Sequence, residues 1–268
     1  MGRRLGVIAG SGWFPIHICQ EAQRMGDVCV VAGIKGEADN ILAERVENFA
    51  WFDVHEIGNL IAFFKKNQVS EAVFAGKIDY SIIYKSEEMS KILSVLLGTG
   101  KDRTPSGLIK TAIQILSTQG IAIMDPTPYV ASAFCKEGIL TETKPSPKIK
   151  EDIDFGWNIA RQLADLDIGQ TVIIKGKAIV AVEGMEGTDE AIKRAGELAG
   201  KGIVVVKVSR SYQDPRIDLP AVGLETVKSL ILAGGQALGF EAQKIPFFQK
   251  KEAITLANTN GICLIAKQ

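Results

Sequence analysis

Leu5-Gly6-Val7-Ile8-Ala9-Gly10-Ser11-Gly12-Trp13-Phe14-Pro15 decides the fold. A short apolar run gives way to two glycines around a serine, then to a helical pattern over residues 14–25. Pro15 falls near the first turn, where its missing N–H breaks no helical hydrogen bond. A strand entering a helix through a glycine turn opens a layered α/β domain. The alternation continues downstream, with strands predicted at 28–31 and 72–75 and an amphipathic helix at 57–66. Thr104-Pro105 caps a helix running to about Gln119, and residues 121–124 form a further strand. Strand and helix in alternation imply a parallel sheet with helices on both faces. Residues 1–140 therefore read as a Rossmann-like α/β domain.

Residues 141–150 hold Pro145 and Pro147 among polar and charged side chains and read as a linker. Beyond it the pattern predicts a helix at 152–165 and strands at 171–174 and 178–183, joined at Lys175-Gly176-Lys177 as a hairpin. A well-capped helix at 188–199, a buried strand at 203–208 and a helix over 226–238 follow. A helix near 251–258 and a strand at 262–266 end the chain. Residues 151–268 thus read as a second α/β domain.

Composition sets the outer limits. The 268 residues make room for one large or two ordinary domains, and a 46% hydrophobic content supplies a core. Thirty-one basic and 31 acidic residues balance, so there is no global basic field for nucleic acid. No apolar run approaches the roughly 20 residues of a membrane-spanning helix, and the N-terminus has no signal-peptide pattern. Cys19, Cys29, Cys135 and Cys263 are scattered, with only His17 and His55 beside them, which argues against a disulfide framework or a zinc site. The expectation is a cytoplasmic protein.

Chemistry concentrates in loops after strands. Gln213-Asp214-Pro215-Arg216-Ile217-Asp218-Leu219-Pro220 places two acids and an arginine between prolines where a plain strand-to-helix connection would do. Glu183-Gly184-Met185-Glu186-Gly187-Thr188-Asp189 is a second acidic loop. Capping accounts for one of its acids; magnesium, which takes one or two carboxylates plus substrate phosphate, would account for more. Lys207 ends a strand, where it could neutralise phosphate or simply snorkel. Gly10-Ser11-Gly12 could present N–H groups to a phosphate or merely make the turn. The acid that would bind an NAD ribose after the second strand is missing, since Val30-Val31 leads to Ala32-Gly33. Gly98-Thr99-Gly100-Lys101-Asp102-Arg103-Thr104 imitates a P-loop but has Val95 for the first glycine and Asp102 for the Ser or Thr.

Taken in order, Ile8-Ala9-Gly10-x-Gly12-x-x-Pro15, Ala75-Gly76-Lys77, Leu166-Asp167-Ile168-Gly169-Gln170, Ala181-Val182-Glu183-x-x-Glu186-Gly187-Thr188-Asp189 and Arg216-x-Asp218-Leu219-Pro220-x-x-Gly223 resemble one family. It is the UDP-2,3-diacylglucosamine pyrophosphatase family of the LpxI type, from lipid A biosynthesis in Gram-negative bacteria. The chain departs at Lys77-Ile78-Asp79-Tyr80 and at residues 100–104. The resemblance implies two domains with lipid bound between them, and hydrolysis of UDP-2,3-diacylglucosamine to UMP and 2,3-diacylglucosamine 1-phosphate (lipid X). Water attacks the α-phosphorus, with magnesium or another divalent metal such as manganese. Asp218 matches the key catalytic aspartate, joined by Arg216 and Lys207. Gly10, Ser11, Gly12, Gly76, Lys77, Gly187, Thr188 and Thr226 are expected to bind substrate, and Asp218, Glu183, Glu186 and Asp189 the metal.

In an extended loop Arg216 and Asp218 would face the same side. The guanidinium would then hold the carboxylate ionised, which suits a metal ligand or a water-orienting group. The expected partners are the lipid-linked UDP-sugar, lipid X and the inner-membrane surface, with a homodimer as an open alternative to a monomer and no nucleic acid. Residues 57–66 are one candidate membrane contact, against a core-facing helix. Two rival readings stay open: a nucleotide-sugar or NAD-dependent oxidoreductase, and a lipid- or nucleotide-binding protein without turnover.

Overall fold

The computed structural model describes residues 2–79 and 104–268; the P-loop-like segment up to Arg103 lies outside them. The chain forms two compact units. One comprises Met1–Val130 with Asp214–Asp218; the other comprises Ala131–Gln213 with Leu219–Gln268.

The first unit contains β1 (Arg4–Ala9), α1 (Phe14–Arg24), β2 (Val28–Ile34), α2 (Ile41–Arg45), β3 (Asn48–Phe52), α3 (Ile57–Lys66), β4 (Glu71–Ala75), α4 (Pro105–Thr118), β5 (Ala122–Ile123) and α5 (Thr127–Val130). The strands pair in parallel in the order β3-β2-β1-β4-β5. Both faces are covered, so the strands read as near-continuous apolar runs: Val30, Val31 and Ala32 are fully buried. Helix α3 turns Leu60, Ile61 and Phe64 into this core, so its apolar stripe faces the sheet. Thr104 caps α4 by accepting from Gly107 N at 3.2 Å, with Pro105 in the first turn.

The second unit contains β6 (Gly138–Ile139), α6 (Pro147–Asp165), β7 (Thr171–Lys175), β8 (Ala178–Val182), α7 (Thr188–Ala199), β9 (Val204–Lys207), α8 (Leu224–Leu232), β10 (Ala237–Glu241), α9 (Lys250–Thr259) and β11 (Cys263–Lys267). Its sheet runs β6-β11-β10-β9-β7-β8. The central β9, β10 and β11 are parallel, while β6, β7 and β8 add antiparallel pairings at the edges. Helix α6 seals one face through Ile149, Ile153, Ala160 and Ala164. Residues of α7, α8 and α9 seal the other, including Ile192, Leu230 and Ala253. The predicted hairpin turn is present: Gly176 and Lys177 both have φ of 59°, as a two-residue type I′ loop requires. Their N–H groups donate to the buried Asp152 carboxylate at 3.0 and 2.6 Å.

Three expectations are corrected. The division falls after Val130, and residues 141–150 lie inside the second unit. Thr141 Oγ1 accepts from Leu264 N at 3.0 Å, tying this segment to β11. Ser146 caps α6, with Pro147 in the first turn, so the proline that suggested a linker starts a helix. The helix over 226–238 instead spans Leu224–Leu232, because Gly234 (φ 71°) and Gly235 break it. Ala237–Glu241 then becomes a strand buried between two parallel neighbours. Finally, β2 continues three residues beyond Val31, so Lys35, bridged to Asp53 at 2.6 Å, occupies its end.

Candidate active site

The strand order of the first sheet reverses between β1 and β4, the position where open α/β sheets leave a ligand crevice. Here two turns meet backbone to backbone. Gly10 N donates to Ala75 O at 2.8 Å, Ser11 N to Lys77 O at 2.7 Å and Lys77 N to Ser11 O at 3.1 Å. Ser11 Oγ also donates to Lys77 O at 2.9 Å. A Cβ on Gly10 would lie 2.3 Å from Lys77 O, and one on Gly76 (φ 91°) 2.6 Å from Ser11 O. Glycine is therefore required at both positions for the turns to meet. The structure brings Gly10, Ser11, Gly76 and Lys77 together, and the N–H groups of Gly10 and Ser11 serve the neighbouring turn. Gly12 (φ 92°) precedes α1 with open space where its Cβ would be.

A second constellation forms where β8, α7 and β9 end or begin. Glu183 follows β8, and its Oε2 accepts from Gln170 N at 3.1 Å. Its Oε1 accepts from Thr188 Oγ1 at 2.7 Å. Thr188 Oγ1 accepts in turn from Lys207 Nζ at 2.7 Å and lies 3.4 Å from Thr171 Oγ1. Gly187, at φ 83°, provides the bend that starts α7. Lys207 is only 7% exposed. A buried ammonium is unfavourable without acceptors, and the hydroxyl links it to the Glu183 carboxylate. An ammonium held in this way is a fixed positive charge, suited to stabilising developing negative charge on an oxyanion.

The loop after β9 is a turn rather than an extended segment. Ile217 N and Asp218 N donate to Asp214 O at 3.0 and 3.2 Å. Arg216 grips Asp214 in a fork, Nε to Oδ1 at 3.0 Å and Nη2 to Oδ2 at 2.7 Å. The Arg216 hydrogen bonds outweigh burial and hold the Asp214 carboxyl below its usual range, aided by the charge of Lys110 on α4. In place of the expected facing of Arg216 and Asp218 along an extended chain, the guanidinium forks to Asp214 within the turn. Asp214–Asp218 belongs to the first unit, whereas Glu183, Thr188 and Lys207 belong to the second.

The remaining expected ligands go elsewhere. Burial raises the Glu186 carboxyl, but hydrogen bonds from Arg194 and the backbone outweigh it and hold the group below its usual range; the Arg194 contact is 2.6 Å. Asp189 lines a surface groove between α7 and α8 with Lys193, Gly196 and Ser229. Thr226 is buried in the first turn of α8. Among the described residues, no three His, Cys, Asp or Glu side chains converge as a metal site. With the carboxylates of Glu183 and Glu186 already accepting from protein donors, the described set does not fit a protein-built magnesium centre.

The sequence reading missed a buried network at the root of this loop. Glu241, the last residue of β10, is 5% exposed. Its Oε2 accepts from Ser209 N at 2.9 Å and Ser209 Oγ at 2.6 Å. Its Oε1 accepts from Arg161 Nη2 at 2.6 Å and Lys244 Nζ at 2.9 Å. Burial alone would raise this carboxyl; the donors overcome that and bring it down to about 2. Arg161 also donates to the Ser209 carbonyl. One step on, Arg210 pairs with Asp167, and Ser211 donates N and Oγ to Asp165, both at 2.7 Å. A lone acid closing an apolar run was the only sequence signal.

Fold and site together define a two-unit α/β protein with a parallel first sheet, a mixed second sheet and polar clusters at strand ends. Residues 4–133 match the family model of the LpxI N-terminal domain, and residues 136–265 that of the LpxI C-terminal domain. The chain belongs to the LpxI family. It is 25% identical over 274 residues to the UDP-2,3-diacylglucosamine pyrophosphatase LpxI of Caulobacter vibrioides, covering 98% of this chain and 97% of the relative. Solved structures with partial similarity include an L-threonine dehydrogenase from Phytophthora infestans (18% identity, 45% of this chain, 34% of that one, TM-score 0.30). Another is a UDP-glucose-4-epimerase from Stenotrophomonas maltophila (16%, 44%, 34%, TM-score 0.31).

Proposed function

We infer that this chain is a UDP-2,3-diacylglucosamine pyrophosphatase of lipid A biosynthesis, hydrolysing its substrate to UMP and lipid X. The observation that carries this reading is the pair of family matches across residues 4–133 and 136–265, with a relative of that activity aligned over nearly the whole chain. Water attacks the α-phosphorus, the bond to the bridging oxygen breaks, and that oxygen leaves with the lipid phosphate. Asp218 orients the attacking water. Lys207, held by Thr188, offers its charge to the phosphate oxygens. Arg216 braces the turn through Asp214. The divalent metal expected from the resemblance has no assembled carboxylate set among the described residues, and no step here passes through it.

The test is product analysis in oxygen-18 water, with and without chelator. Label in UMP supports attack at the α-phosphorus, and label in lipid X overturns it. Absence of turnover overturns the function, and activity untouched by chelator removes the metal from the reading. Among the described residues no helix is long and apolar enough to cross a membrane. A diacylated substrate then calls for peripheral, reversible contact with the bilayer; failure to float with vesicles at low salt would refute it.

A further inference from the structure

The Glu241 network has no part in the chemistry above, yet it sits beside the strand end that bears Lys207. Glu241 and Arg161 together hold the N–H, the hydroxyl and the carbonyl of Ser209. Ser209 lies two residues beyond Lys207, and side chains two apart on an extended chain share a face. Fixing Ser209 therefore fixes the strand end from which Lys207 reaches Thr188, 2.7 Å away. A neutral acceptor would serve to hold one peptide N–H. Burying a carboxylate is unfavourable unless several donors converge on it, and here four do. That arrangement gives a stiff, charge-locked anchor where a flexible loop root would otherwise be.

We propose that Glu241 is a positioning residue for the hydrolysis: with Arg161 it clamps Ser209 and so sets the placement of Lys207. It touches neither the substrate nor the reacting atoms. The proposal rests on the reading of Lys207 given above.

Steady-state kinetics of the full chain with UDP-2,3-diacylglucosamine tests it, using Glu241→Gln, Ser209→Ala, Lys207→Met and the double variant Lys207→Met/Glu241→Gln. Glu241→Gln turns an amide toward donors that need an acceptor. We expect kcat to fall about 100-fold, the scale of a misplacement near 1 Å, while KM stays within about threefold and the melting transition remains cooperative. In the Lys207→Met background, Glu241→Gln should add no further loss, because it acts through the lysine already removed. A folded Glu241→Gln enzyme with wild-type kcat overturns the proposal. So does a variant whose loss lies wholly in KM, which would mark a substrate contact. If Glu241→Gln does not fold, Ser209→Ala decides, since it removes a single hydroxyl donor: a drop in its kcat supports the clamp and wild-type kinetics reject it. A fully active Lys207→Met protein would instead sink the catalytic reading on which the proposal stands.

Discussion

Replacing Thr188 by valine should disable the second unit's charge relay while preserving its shape. The substitution exchanges a hydroxyl for a methyl of similar volume. It deletes two hydrogen bonds to charged groups, from Lys207 at 2.7 Å and to Glu183 at 2.7 Å. Bonds of this kind contribute about 1.5–3 kcal/mol each. Lys207, 7% exposed, is then left without this acceptor in a site that offers it little water. We expect a destabilisation of about 3 kcal/mol, a sizeable part of the roughly 5–15 kcal/mol typical of a folded domain. Equilibrium urea unfolding followed by circular dichroism reads it as a lower midpoint at an unchanged slope. Thr188→Ser, which keeps the oxygen, should fall within about 1 kcal/mol of wild type. Turnover should drop at least about tenfold in the valine variant, because Lys207 is no longer aimed. A Thr188→Val protein within about 0.5 kcal/mol of wild type would show that the hydroxyl does not hold the lysine, and the relay would have to be abandoned.

Acid should remove the stabilisation that Glu241 provides. Its folded-state value, about 2, lies below the ordinary 4.5, so the contribution is full above the unfolded value and is lost as pH falls toward the folded one. The shift corresponds to about 3 kcal/mol in all, with about 2 kcal/mol gone by about pH 3. Urea titrations at several pH values should show this slope in wild type and a shallower one in Glu241→Gln; parallel slopes would rule the linkage out. Asp214→Asn breaks the fork to Arg216 while keeping a side-chain oxygen for the turn. Its kcat should fall about tenfold, less than for Asp218→Ala, and an unaltered kcat would mean the fork does not shape the site.

Most elements of the fold were legible because their periodicity is local. The run at Leu5–Ala9 and the stripe of Ile57–Lys66 each carry their own signal, whereas the cap expected at Thr188 falls on Gly187 and makes no side-chain bond. The short α2 and β3 went unread, since Asn48–Phe52 earns its strand only by pairing with β2. Pro145 and Pro147 are ambiguous in one dimension: the same residues punctuate a linker or open a helix. The extra length of the 226–238 helix came from overlooking Gly234-Gly235. At the site, Glu183 and Thr188 stand in one acidic loop and Lys207 at a strand end 19 positions beyond Thr188, and the structure joins them. Glu241, Ser209 and Arg161 were not nominated, because their hydrogen bonds span 32 and 80 positions and no local pattern announces such pairs.

Asp214–Asp218 is a five-residue piece of the first unit supplied by the second half of the sequence. The two halves are therefore not interchangeable parts. A fragment ending near residue 130 would lack a segment that completes it. A fragment beginning at residue 131 would carry that segment with nothing to receive it. Shuffling one half between homologues would import a strap fitted to a different host, so inheritance of the halves is tied together, and a split-protein reassembly would have to thread this strap back before it could work.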